Sequence, residues 1–440
     1  MKRRITALIA AVVLILSSSL FCFAAGLTHA PTPVGNAELL FTRKLGTGYK
    51  NAPTPVATGK DCIYVAAGKK MYKLNAETGE TLASAEMESV STYTAVAPLY
   101  DGETVYMPLD DGIVQAFSAS DLTPVWTYTD SLGGQSLCPI ICKDGYLYTG
   151  FWNGETDDAN FVCLPAQGSG KQKAVWTFSS TGGFYRTAAL IRGDYVIVGS
   201  DNGQQVDQPD APSHIYSINR QTGKLASKLT TAGDIRAGVS CDAATGFCYT
   251  VSKSGELYRF KIDISAGRLY GLTSVPLSGS STVTPIPYSG RLYVGCSDGR
   301  KGRFLVMDAA TLRTIWSAEL PGSPQGDMLL STAYEYEDGK LLIYSTYNAP
   351  PGGVYVFEDA AGQTQAVARE FFTPPENMGQ YCFCPVTADG HGRIYYKNDS
   401  GTVFALAGNR EAERNVIFLL SSYLQLFRQI ITFLRGAVAQ

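Results

Sequence analysis

Aromatic and charged side chains gather in several short segments that the repeat set out below places in the loops entering its innermost strands. They are Tyr49 and Lys50, Tyr93, the run Phe184-Tyr185-Arg186, the pair Asp234 and Arg236, Asp327, and Gln380 with Tyr381. Such residues offer wide contact area and forked hydrogen bonds, the chemistry of recognition rather than of bond breaking. Tyr93, Tyr185, Arg186, Arg236, Asp327 and Tyr381 are therefore the candidate ligand-binding set, with a peptide or glycan end as the natural ligand. The competing role for each is a loop side chain that serves only its own turn.

Signatures of catalysis are missing. The sequence contains no Gly-x-Ser-x-Gly, no His-Glu-x-x-His and no phosphate loop. Its 3 histidines, His29, His214 and His391, are scattered, which leaves few groups for general acid–base work or for a zinc site. Acidic residues do recur in the segments 151–160 and 201–210, but not at the alternating positions of a calcium loop. No catalytic residue, no metal and no cofactor is expected.

Ten cysteines are present, and nine follow Cys22. An odd number cannot pair completely within one chain. Cys241 and Cys248 flank a short turn, within reach of a cross-strand bridge. Cys382 and Cys384 read as alternate residues of a strand, about 7 Å apart and too far to bond each other easily. Most of the others read as small buried residues.

The elements that must position these residues come from a repeat. Gly59-Lys-Asp-Cys-Ile-Tyr-Val65 leads to Lys70-Met-Tyr-Lys-Leu-Asn-Ala-Glu-Thr-Gly79: a turn, a β-rich run, a second β-rich run and a turn. The same order recurs from Gly102, Gly145, Gly193, Gly246, Gly290, Gly339 and Gly392, giving eight copies. Tyr64, Tyr106 and Tyr148 are 42 residues apart, and Tyr249 and Tyr293 are 44 apart. A period of roughly 40–50 residues with four strands per unit describes a propeller blade. The fold class is all-β: an eight-bladed β-propeller of four-stranded blades, seven if one weak repeat is irregular. Trp126, Trp176 and Trp316 fall where a fourth strand begins, where an indole packs between blades. The last unit lacks a fourth strand, and the orphan run Leu39–Leu45 before the first unit is expected to supply it.

These repeats resemble the pyrroloquinoline-quinone-type β-propeller repeat. The resemblance rests on Leu292-Tyr-Val-Gly295, Leu74-Asn-Ala-Glu-Thr-Gly79, Thr222-Gly223 and the three tryptophans, and covers about residues 38–408. It implies the fold. For function it points two ways: to quinone- and calcium-dependent dehydrogenases, and to cofactor-free propellers such as the outer-membrane assembly lipoprotein. The alcohol-oxidising members resemble one another in an adjacent Cys-Cys pair, a Glu/Asn/Asp calcium site and a catalytic Asp. This sequence has no Cys-Cys dipeptide and no CxxCH haem attachment. It sits closer to the cofactor-free propellers, a noncatalytic binder or scaffold for a protein or glycan.

Residues 1–25 have the layout of a secretory signal: Lys2, Arg3 and Arg4, an apolar run, then small residues. Phe21 before Cys22 does not match a lipidation site. A secreted, cell-surface or periplasmic location follows. The net charge of −3 without a basic run argues against nucleic acid. Over 411–436 the period changes to that of a helix, with Ile417, Leu420, Leu424, Phe427, Ile431 and Leu434 opposite a narrow polar stripe. Such an amphipathic helix lies on a membrane surface, docks on the propeller or holds a partner.

Overall fold

A loop leads into a short inner strand, a tight turn follows, and three longer strands step outward. The structure, a computed structural model, describes residues 26–92, 96–206 and 208–408. Among these residues eight separate sheets form, each built on four antiparallel strands, and two of them carry a fifth short strand paired in parallel at one edge. Blade one runs through Ala57–Thr58, Cys62–Ala67, Lys70–Asn75 and Thr81–Glu86. The eight-bladed propeller expected from the repeat is what forms. The helix expected over 411–436 and the leader over 1–25 lie outside the described residues. Among the described residues no helix is long and apolar enough to cross a membrane.

The turn between the third and fourth strands explains the recurring Thr-Gly. Asn75 Oδ1 accepts from the backbone N–H groups of Glu77 and Thr78, both at 2.9 Å. Asn219 repeats this with Gln221 and Thr222. The glycine that follows has φ +69° at Gly79 and +68° at Gly223. A side chain there would also strike the ring of Phe41 or of Trp176, so glycine is required twice over.

Blades are joined by a repeated polar device set in an apolar seam. The second-strand tyrosine of one blade donates to a carbonyl just past the third strand of the next: Tyr64 to Ala119, Tyr106 to Ala166, Tyr249 to Ala309 and Tyr395 to Ala76, at 2.8–3.2 Å. The tryptophans do the same work. Trp126 Nε1 donates to Ala166 O at 3.0 Å, Trp176 to Arg220 O at 2.8 Å and Trp316 to Asp359 Oδ1 at 3.1 Å. All three indoles are buried, as blade packing requires. The apolar clusters straddle blade boundaries: Phe41, Ile63, Val65 and Leu74 pack with Tyr395, Val403 and Ala405. No blade buries its faces alone, which is why the ring must close.

Closure comes from the N-terminal segment. Glu38–Lys44 pairs antiparallel with Thr402–Ala407 and completes the eighth blade, as the orphan strand suggested. A second contact was not foreseen. Leu27–Thr28 pairs parallel with Leu329–Ser331, the inner strand of blade seven. The chain then passes between blades seven and eight, where Thr32 is fully buried. Tyr344 donates to Pro33 O at 2.6 Å and contacts Thr32 Oγ1 at 3.1 Å, so the strap takes the place that a neighbouring blade's turn has elsewhere.

Candidate functional site

Alternate turns of a meander lie on the same face. The loops that lead into the inner strands therefore share one face with the turns between second and third strands. The lead-in loops are stitched into a belt around the central channel. Cys138 Sγ donates to Thr187 O at 2.9 Å, Thr187 Oγ1 to Ala237 O at 3.1 Å, and Gly238 N to Thr284 Oγ1 at 2.9 Å. Thr284 N then donates to Asp327 Oδ1 at 2.8 Å, and Val386 N to Asp327 O at 3.3 Å. The belt runs from blade three to blade eight and holds the charged residues in register.

Arg186 leads into blade four, and its Nη2 donates to the carbonyl of Gln325, which leads into blade seven. That bond crosses the channel. Arg186 adopts φ +59°, a left-handed conformation that aims its side chain inward against the usual preference of a non-glycine residue. Burial lowers the pKa of Arg186 below the ordinary guanidinium value and raises that of Asp327 above the ordinary carboxyl value, while each charge pulls the other back. Lys397, fully buried in blade eight, stacks 4.4 Å over the Phe383 ring and lies 3.8 Å from Asp399. Burial pulls its ammonium down.

The densest charge cluster lies beside this, where blades three, four and five meet. Arg236 Nε donates to both oxygens of Asp201, at 3.0 and 2.9 Å, and Nη2 reaches Asp201 Oδ2 at 2.5 Å. The same Nη2 reaches Glu155 Oε2 at 2.8 Å and Asp234 Oδ2 at 3.4 Å. Lys253 approaches Asp234 at 3.8 Å. Burial pushes the Asp201 carboxyl up to about 7, and the nearby Asp234 and Glu155 add to the rise while Arg236 opposes it. Burial, the largest single effect, lowers the pKa of the Arg236 guanidinium, but the surrounding carboxylates together outweigh it and hold it above its ordinary value. The Tyr185 ring covers the guanidinium at 4.4 Å and meets Trp152 edge-on at 5.2 Å. Trp152 in turn borders an open depression of about 670 Å³, together with Leu132, Gly134, Gln135, Asn153 and Asp157.

Of the six residues singled out in the sequence, the structure brings Tyr185, Arg186, Arg236 and Asp327 into one funnel. Tyr381 lies on the rim with its ring half exposed, and Tyr93 lies outside the described residues. Sequence reasoning passed over Glu155, Asp201, Lys253 and Lys397. The acids at 155 and 201 sit in the two insertions whose spacing did not match a calcium loop. They nonetheless converge, with Asp234, so that one oxygen from each lies within 4.8 Å of the others. Each insertion supplies one acid, so no spacing within either could reveal the group. The 151–160 insertion is also shorter than expected, because the third strand of blade three already begins at Asp158. Cys382 and Cys384 are not in a strand. They lie in the loop before Thr387–Ala388, buried, with Cys382 Sγ donating to Lys397 O at 3.0 Å.

A sequence family described as outer membrane protein assembly factor BamB matches residues 38–155 and 211–414, most of the chain. The chain belongs to the BamB family. No curated protein matches the sequence. Among solved structures, BamB from Moraxella catarrhalis aligns over 84% of this chain and 99% of its own, at TM-score 0.57 and 15% identity. The quinohemoprotein alcohol dehydrogenase ADHIIG from Pseudomonas putida HK5 aligns over 85% of this chain and 76% of its own, at TM-score 0.61 and 11% identity. A europium-containing methanol dehydrogenase aligns over 84% and 87%, at 0.61 and 10%. At these identities the likeness establishes the propeller and nothing finer. The BamB-family match is interrupted over 156–210, the stretch that carries Tyr185, Arg186 and Asp201.

Proposed function

We propose that this BamB-family chain is a noncatalytic scaffold of the cell envelope, which holds a partner polypeptide on the face where the lead-in loops gather. The observation that carries the proposal is the pairing of Arg236 with Glu155, Asp201 and Asp234. In a quinoprotein reading, converging carboxylates would hold a cation beneath a flat cofactor. Here all three are already paired with a side chain of the protein. Arg186 crosses the space beside them, and Cys382 and Cys384 are buried with their thiols directed at backbone carbonyls. These residues do not fit a quinone with its calcium.

What remains for a ligand is the upper rim. Trp152 and Tyr185 present aromatic surface beside an open depression, with Glu155 and the arginine edge within reach. Aromatic anchors ringed by polar groups suit a protein partner. Membership of a family described as an outer-membrane assembly factor supports an envelope setting, and the leader-like residues 1–25 support export.

Photo-crosslinking tests this. A photoreactive residue is placed at Tyr381 or Asn153 on the funnel face, and at Tyr270 on the outer wall, in cells that produce the protein. Discrete adducts are expected from the two funnel positions and none from the wall. Adducts of equal yield from all three positions, or from the wall alone, would overturn the assignment.

A further inference from the structure

The first hairpin of blade five differs from every other blade in one pair of residues. Just before the second-strand tyrosine, or its equivalent Ile197, the other blades place Ile63, Val105, Leu147, Val196, Leu292, Ile343 and Ile394, all fully buried. Blade five places Cys248 there, equally buried. The residue opposite it on the inner strand is Cys241. Elsewhere the opposite residue is Thr58, Tyr100, Cys142, Ile191, Pro287, Leu330 or Ala388, never a second cysteine facing a first.

The ladder fixes the geometry of this pair. Asp242 N donates to Phe247 O at 2.9 Å, so 242 and 247 are a hydrogen-bonded pair. Cys241 and Cys248, one step further in, are then a non-hydrogen-bonded pair. There the Cα atoms stand about 4.5 Å apart and the side chains approach most closely. That separation falls at the short end of the disulfide range, about 4.4–6.8 Å. The Cys241 thiol is directed at Asp242 O, at 3.7 Å, and the neighbouring Cys248 lowers its pKa below the ordinary thiol value. Cys241 is partly exposed, Cys248 is enclosed, and the Arg192 guanidinium of blade four attracts negative charge on Cys241.

We propose that Cys241 and Cys248 are a redox pair that closes to a cross-strand disulfide by exchange with an external disulfide. The Cys241 thiolate attacks one sulfur of the oxidant, forming a mixed disulfide and releasing one thiolate. The Cys248 sulfur, giving its proton to solvent, attacks Cys241 Sγ and expels the second thiolate. Two protein thiols are oxidised to one disulfide, the oxidant is reduced to two thiols, and the released thiolates take up the protons. The partly exposed, charge-assisted sulfur is suited to the first attack and the buried one to the second. The bond would pin the inner strand of blade five, whose lead-in loop carries Asp234 and Arg236.

The test uses the full-length reduced protein and glutathione disulfide as oxidant. After alkylation, mass spectrometry counts free thiols and maps links. The expected result is the loss of two alkylatable thiols per chain, in one link between residues 241 and 248. C248S should instead hold a single glutathione on Cys241. C248V, which restores a residue that Val105 and Val196 show to be compatible with the blade, should fold and form no internal link. The proposal is overturned if the wild-type pair stays reduced while the protein is folded, or if links form only among the other cysteines. The experiment is done on purified protein, so its outcome is separate from that of partner binding.

Discussion

Asp201 is buried against water and faces two other carboxylates, yet one guanidinium holds it in three contacts. Its carboxyl is raised from the ordinary 3.8 to about 7. The folded state therefore binds a proton more readily than the unfolded chain between those values. Stability contributed by this group is complete below the unfolded value and is lost as pH rises through the folded one. Urea midpoints should fall between pH 5 and 7, with a slope of up to about 1.4 kcal/mol per pH unit, and D201N should flatten that slope. R236M makes the complementary test. Removing the cation leaves buried carboxylates unpaired, a cost of about 3–5 kcal/mol at pH 8 that shrinks at pH 5, where Asp201 takes up a proton instead. A urea series at both pH values measures it.

Strands and seams explain what can be removed and what cannot. Trp316 is almost fully buried and bonds Asp359 on the next blade. W316F keeps most of the apolar burial and should cost about 1–2 kcal/mol for the lost hydrogen bond and the buried acceptor left behind. W316A should cost about 3–5 kcal/mol through the cavity as well. Chemical denaturation distinguishes the two. Deleting residues 26–44 removes both the strap and the closing strand. The raw edge of Thr402–Ala407 and the unpartnered Tyr344 should then abolish cooperative unfolding and promote self-association, seen by thermal scans and size-exclusion chromatography.

These elements were the legible part of the sequence. Gly-then-tyrosine spacing counts the blades because Tyr64, Tyr106, Tyr249 and Tyr395 each reach the same carbonyl position one blade on. The tryptophans announce the fourth strands because the next blade's turn must be capped. The strap was not legible, since Leu27–Thr28 is a two-residue strand whose pairing depends on a partner some 300 residues away. Arg236 and Tyr185 were legible as residue types suited to recognition. Glu155 and Asp201 were not legible as their partners, because ring closure, and no local spacing, brings three loops to one guanidinium.

At the scale of the whole molecule, the propeller is a rigid belt of loops around a channel that its own charges fill. Arg186 spans it, Arg236 pairs with its acids, and Trp152 and Tyr185 carry aromatic surface to the rim. On the proposed reading, a molecule built this way offers a partner its rim and denies a cofactor its floor. That distinguishes the two activities associated with the same fold, and it makes the central claim testable in one experiment. Purified protein is titrated with pyrroloquinoline quinone in a calorimeter, with and without calcium. The account predicts no saturable heat in either case. Saturable binding that requires calcium and disappears in D201N would contradict it, because the carboxylates would then have exchanged Arg236 for a metal and the funnel would be a cofactor site.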